Sequence, residues 1–164
     1  MLSMPEIVER QPLPYVAIRE VVTMPFGDVV DRVFPELFRW LGAHGVALAD
    51  APFIKYNVID MERALELEFG APVATPVEGD TRVLSGTLAG GTFATITWQG
   101  SFDKLYDANA ALIGWARERG IKWDATKTDK GDRFACRLEI YKTDPSIEPD
   151  TSKWITDIAI KVAG

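Results

Sequence analysis

The chain has 164 residues, 47% hydrophobic and 26% charged, which suits one globular domain with a full core. Its net charge is -6 and it has no block of Lys or Arg, so the basic patch of a nucleic-acid surface is missing and cationic partners are the easier ones to attract. Cys136 is the single cysteine, which excludes a disulfide framework. No apolar run reaches membrane-spanning length, and the first ten residues lack the basic and apolar regions of a signal peptide. A cytoplasmic protein is the expectation.

Residues 1–13, with Pro5 and Pro12, read as a flexible leader before one domain at 14–164. Tyr15–Val22 is β-branched and reads as a strand. Pro25-Phe26-Gly27 breaks it, and Asp28 is placed to cap a helix. Val30, Val33, Leu37 and Leu41 then form one apolar stripe at helical spacing. Pro35 falls inside that stripe and should kink or restart the helix; Gly42 and Gly45 stop it. His44, the only histidine, sits where a cation complements a helix C-terminus.

Phe53–Val58 is a short strand, and 64–69 alternates strictly, with Leu65, Leu67 and Phe69 inward and Glu66 and Glu68 outward. A linker follows at 71–80, rich in Pro and Gly. Arg82–Leu88 and Thr92–Trp98, separated by Gly90-Gly91, read as a hairpin. Ser101 and Asp103 open a second helix with Leu105, Ala108 and Leu112 on its buried stripe, ended by Gly120. After a polar loop comes the strand Arg133–Lys142. Period-two alternation puts Phe134, Cys136, Leu138 and Ile140 on one face and Ala135, Arg137, Glu139 and Tyr141 on the other. Glu139 is then either a residue of a solvated face or an acid aimed into a cavity. Trp154–Val162 is the closing strand.

The order strand, helix, strand, strand is written twice, in halves of about 14–70 and 81–164. Trp40 and Trp115, Gly45 and Gly120, Leu37 and Leu112, and Asp28 and Asp103 hold one constant offset; after a longer loop Tyr56 answers to Tyr141. Two such units favour an α+β fold: pseudo-symmetric strand–helix–strand–strand modules forming one antiparallel sheet, both helices on one face, and a central cleft of the kind that takes small ligands. Tyr106, Tyr141, Trp154 and Tyr56 are placed to border that cleft, with Trp98 and Phe102 among the further aromatics; an aromatic wall with one acid is a cage for a flat cation.

Gly90-Gly91-Thr92-Phe93-Ala94, Gly100-Ser101-Phe102, Trp115, Gly120, Leu138-Glu139-Ile140-Tyr141 and Trp154-Ile-Thr-Asp157-Ile158 together resemble the gyrase-inhibitor-like (GyrI-like) family, over about 15–164. That family includes effector-binding domains of bacterial multidrug-responsive transcription regulators. The resemblance implies binding of bulky, often cationic aromatic compounds, with Glu139 facing the ligand's charge. Asp157 stands where the family commonly has Glu, one methylene longer. The family's regulators carry a helix-turn-helix segment before this domain. Only the Pro-rich leader precedes Tyr15 here, so a stand-alone module without direct nucleic-acid contact is expected.

The leading expectation is therefore a non-enzymatic binder of hydrophobic, cationic small molecules through Glu139, Tyr141, Tyr106, Trp154, Tyr56, Trp98, Phe102 and Asp157. Two alternatives stand beside it: a small hydrolase of strained electrophiles with Glu139 as general base, and a protein-interaction module of the gyrase-inhibitor type. No Cys/His cluster suggests zinc, and neither a phosphate loop nor a nucleophile motif is present, so no metal, cofactor or membrane partner is expected.

Overall fold

The computed structural model describes all residues from 1 to 164. In chain order the elements are β1 (Glu6–Arg10), β2 (Leu13–Val22), α1 (Gly27–Ala43), β3 (Phe53–Ile59), β4 (Leu65–Pro72), β5 (Leu84–Leu88), β6 (Gly91–Gln99), α2 (Leu105–Glu118), β7 (Ala125–Thr128), β8 (Gly131–Phe134), β9 (Arg137–Tyr141) and β10 (Ile155–Lys161). The strands form one ten-stranded sheet, ordered β1-β6-β10-β9-β3-β4-β2-β5, with β8 also on β3 and β7 on β8. All of the pairings are antiparallel. Taking β2-α1-β3-β4 as one half and β6-α2-β9-β10 as the other, the strand order is the same read outward from the β3–β9 pair. That is the expected pseudo-twofold, and β3–β9 is the seam.

The register across the seam fixes the side of the helices. Ile54 of β3 pairs with Glu139 of β9, which pairs with Ile158 of β10, so the three share one face. Ile54 packs in the core under α1 with Val33, Leu37 and Phe69, and Ile158 in the core under α2 with Ala108 and Leu112. Both helices therefore lie on one face, and both amphipathic stripes read from the sequence are the buried ones.

A second core fills the other face. The sheet curls into a half-barrel, and Tyr15, Ala17, Phe53, Phe93, Cys136, Leu138, Ile140 and Ala159 pack inside the curl without any helix. This changes the expectation for the 64–69 strand. Glu68 is on the side opposite Leu67, as alternation requires, but that side is inside the curl and Glu68 is 2% exposed.

Several local expectations also change. Arg82–Leu88 and Thr92–Trp98 do not form a hairpin: β5 pairs with β2, and β6 pairs with β1 and β10. The β1–β2 and β5–β6 turns lie against each other, where a Cβ on Gly90 would meet Pro12 at 2.7 Å. This close approach lets the strands exchange partners. Residues 6–10, read as part of a leader, are the edge strand β1. The strand read as Arg133–Lys142 breaks at Ala135-Cys136. Phe134 therefore joins the α2 core, while Cys136, Leu138 and Ile140 stay inside the curl. α1 runs through Pro35, and Asp28 lies in its first turn rather than at the cap. His44 caps α1, its Nδ1–H donating to the Trp40 carbonyl at 2.8 Å.

Two measurements check this packing. Phe53 lies so close over Gly70 that an added Cβ would sit 2.4 Å from the ring. Gly70→Ala is expected to lower unfolding stability by roughly 1–3 kcal/mol in urea titration through overpacking; an unchanged midpoint would contradict the contact. Cys136 is 1% exposed and burial pushes its thiol pKa up, so a thiol reagent should label it only as fast as the fold opens.

Candidate functional site

Glu139 projects from the seam toward the space between the helices and is 7% exposed. Its Oε1 accepts from the Tyr56 hydroxyl at 2.9 Å and the Tyr141 hydroxyl at 2.8 Å. Tyr56 and Tyr141 are the pseudo-twofold mates recognised in the sequence, so one carboxylate is gripped by two symmetry-equivalent phenols. The position of Glu139 in the other half is occupied by Ile54, its cross-strand neighbour. The repeat thus supplies two donors and a single acid.

The other oxygen, Oε2, accepts from Asn109 Nδ2 at 3.1 Å. Asn109 rides on α2, one turn after Leu105, whose carbonyl takes a further bond from the same amide at 2.9 Å. Its Oδ1 accepts from Arg137 at 3.2 Å. Arg137, which shares the Glu139 face, reaches the acid only through Asn109. Its guanidinium lies over the Phe134 ring, 4.8 Å from the centroid. Burial pushes its pKa below the usual guanidinium range, against the pull of Tyr56 and Glu139. None of the ion pairs in the structure includes Glu139. It is a buried carboxylate held by three neutral donors.

Aromatic rings enclose this group. Phe26, before α1, meets Tyr56 edge-on at 6.5 Å, and Phe102, in the short turn that opens α2, meets Tyr141 edge-on at 5.5 Å. Trp154 tilts against Phe102 at 4.6 Å, and Phe34 of α1 meets Tyr141 at 6.1 Å. Phe34 stacks in turn on Phe38 at 5.7 Å, and Phe38 is 41% exposed. A continuous series of rings therefore leads from the surface of α1 to the acid. Burial first, and the Glu139 charge second, push the Tyr56 and Tyr141 pKa values well above the ordinary phenol value. Both hydroxyls stay protonated and act as donors.

Of the residues singled out in the sequence, Glu139, Tyr141, Tyr56, Phe102 and Trp154 come together. Tyr106 is 70% exposed on α2 and takes no part in the hydrogen bonds to Glu139. Trp98 packs in the α2 core and donates its Nε1–H to the Ser101 carbonyl at 2.8 Å, tying down the turn before α2. Asp157 lies on the opposite face: it pairs in register with Ile140, and its carboxylate accepts from Thr97 Oγ1 at 2.7 Å. Asn109, Phe26 and Phe34 were not assigned to the site from the sequence. The one available signal was for Asn109, a polar residue i+4 from Leu105 at the edge of the buried stripe.

Fold and site together define a small-molecule-binding α+β domain. The GyrI-like small molecule binding domain matches the chain over residues 3–163. The protein belongs to the GyrI-like family. Among solved structures it is similar to the crystal structure of the EcmrR C-terminal domain, at 18% identity and a TM-score of 0.80, covering 98% of this chain and 97% of that one. In the cryo-EM structure of the EcmrR–DNA complex in EcmrR-RPo the similarity is 19% identity and a TM-score of 0.80 over 97% of this chain, but this chain spans only 57% of that one. SAV2435 bound to tetraphenylphosphonium is similar at 13% identity and a TM-score of 0.58, covering 99% of this chain and 95% of that one. These likenesses show the fold. No curated protein matches the chain. No helix is long and apolar enough to cross a membrane.

The phenols give the fold a defined alkaline limit. Tyr15, whose hydroxyl donates to Glu68, is raised by burial and by that carboxylate, as Tyr56 and Tyr141 are by burial and Glu139. The unfolded chain releases these protons near pH 10 while the native state keeps them, so their contribution is full below about pH 10 and is lost above it. Each phenol adds a slope of about 1.4 kcal/mol per pH unit in that range. Urea unfolding from about pH 8 to about pH 11 should show the fall, and the Tyr56→Phe/Tyr141→Phe variant should show a shallower one. A flat wild-type profile would mean the phenols are open to water.

Proposed function

We propose that the protein binds hydrophobic aromatic cations between its two helices, with Glu139 neutralising the ligand's charge and the surrounding rings sandwiching it. The observation that carries this reading is the lack of a countercharge: a buried carboxylate costs several kcal/mol unless a cation joins it, and Glu139 has only neutral partners. A lipophilic cation supplies the missing charge in a poorly screened site. Phe102, Trp154, Phe34 and Tyr141 offer ring faces and large apolar area to the same ligand. Glu139 is buried and Tyr56 and Tyr141 are half-buried, so a ligand reaches the acid by parting the rings on the Phe34–Phe38 side or around Phe102. Asn109 acts as a spacer that keeps Arg137 from competing for the acid. The tetraphenylphosphonium bound to SAV2435 supports a ligand of this class, and the likeness to EcmrR supports an effector or sequestering role for the binding.

Calorimetric titration with tetraphenylphosphonium and with neutral triphenylphosphine oxide tests the reading. In Glu139→Gln the cation should lose affinity by about 10- to 150-fold, the equivalent of a charge-assisted contact of roughly 1.5–3 kcal/mol. The neutral compound should lose much less. Equal losses for both would make Glu139 structural, and recovery of a chemically altered compound would point to turnover instead.

A further inference from the structure

The opposite face of the sheet carries a hollow of about 520 Å³ at the open end of the curl. Two cross-strand rows build its charged lining. In the first, Arg19 of β2, Glu68 of β4 and Lys55 of β3 pair in register, giving a plus–minus–plus row. In the second, Glu66 and Arg133 flank Val58 from either side. Between the rows a β-bulge at Asn57 turns an extra side chain into the hollow; such bulges re-aim side chains next to sites.

The floor is preorganised. Glu68 and Asn57 are 2% and 5% exposed. The Glu68 carboxylate accepts from the Tyr15 hydroxyl at 2.5 Å, Asn57 Nδ2 at 2.5 Å and the Arg19 guanidinium at 3.2 Å. Burial alone would raise its pKa, but these bonds and the nearby Lys55 hold it below the usual carboxylate range. Glu68 is thus fully used inside the protein. Asp124, also on the lining, is taken by Lys161 at 2.8 Å.

The cations are not used up. Arg133 has no ion pair, and Lys55 donates only to Asn57 Oδ1. Arg19 makes one contact through one nitrogen and its side chain is 53% exposed. Three cations thus face three lining carboxylates: Glu66, the already satisfied Glu68, and Asp124, which Lys161 neutralises. With Lys161 counted beside Asp124, four cations stand against three carboxylates in a chain whose net charge is -6. A free guanidinium fork beside a lysine suits a small oxyanion. Glu66, also without an ion pair, is placed to accept from an amino or hydroxyl group of the same molecule. The volume lies within the range of roughly 300–1,000 Å³ that small-molecule sites occupy.

We propose that this hollow is a second ligand site, which takes small polar molecules bearing a carboxylate or phosphate through Arg133, Lys55 and Arg19. It is separated from Glu139 by the sheet itself, so one sheet presents opposite charge preferences on its two faces. The two sites are independent, and failure of either reading leaves the other standing.

The test is an amide NMR titration with succinate, with inorganic phosphate, and with putrescine as the cation of succinate's chain length. Succinate or phosphate should shift the amides of Lys55, Asn57, Glu68, Arg133 and Ala135, with saturation below about 1 mM; the tighter of the two identifies the preferred oxyanion. Arg133→Gln, an exposed position whose loss spares the core, should weaken the effect about tenfold or more. Glu139→Gln should leave it unchanged. Putrescine saturating the same amides at equal or lower concentration would overturn the proposal. Shifts for both anions that stay linear to about 10 mM, or that ignore Arg133→Gln, would also do so.

Discussion

The convergence of Tyr56 and Tyr141 on a single oxygen of Glu139 is the interaction around which the domain is organised. It spans the β3–β9 seam, where the inner strands of the two halves of the sheet pair. Each phenol is braced by a phenylalanine that introduces the helix of its own half. The seam, both helix starts and the acid are therefore one mechanical unit. A shift of either helix changes the packing of a tyrosine and, with it, the hydration and hydrogen bonding of the carboxylate.

The pseudo-symmetry leaves the unit with a single charge. A perfect repeat would place two carboxylates side by side across the seam, and like charges that close disfavour ionisation of both. Ile54 opposite Glu139 leaves one acid with two donors. Neutral donors stabilise the carboxylate enough for it to remain in a covered site but add no positive charge. Arg137, the nearest cation on the same face, is occupied with Asn109 and the Phe134 ring. The acid is therefore left without an ion pair of its own.

The curl of the sheet sets the second level of organisation. Because β1 and β5 extend the sheet at its two ends and the tight β1–β2 and β5–β6 turns lie against each other, the face away from the helices is closed over its own core. Apolar residues fill the interior around Phe53 and Cys136. Toward the open end the lining becomes charged, with Glu68 as the buried pivot between Arg19 and Lys55. Each face of the same sheet thus holds one buried carboxylate. Glu68 is compensated by Arg19 and Lys55, whereas Glu139 is held by neutral donors.

Alternation and helical spacing are short-range properties, and they were legible in the chain: the strands from Tyr15, Phe53, Leu65 and Trp154, both amphipathic helices, and the burial of Cys136. The repeat made the pseudo-twofold and the pairing of Tyr56 with Tyr141 readable as well, because equivalent residues keep equivalent places. Glu139 itself stood out as an acid in a strand of strong β-formers. Which strand lies beside which is set by long-range pairing, and there local signals failed. Gly90-Gly91 read as a hairpin turn, yet β5 and β6 took other partners. One break at Ala135-Cys136 moved Phe134 to the other face, and Asp157 fell on the side away from Glu139. Glu68 looked solvated because alternation gives the face of a residue but not whether that face is covered. The bond from Asn109 to Glu139, the separation of Arg137 from the acid, and the charged hollow inside the curl each depend on atoms brought together from segments distant in the chain, so only the tertiary structure decided them.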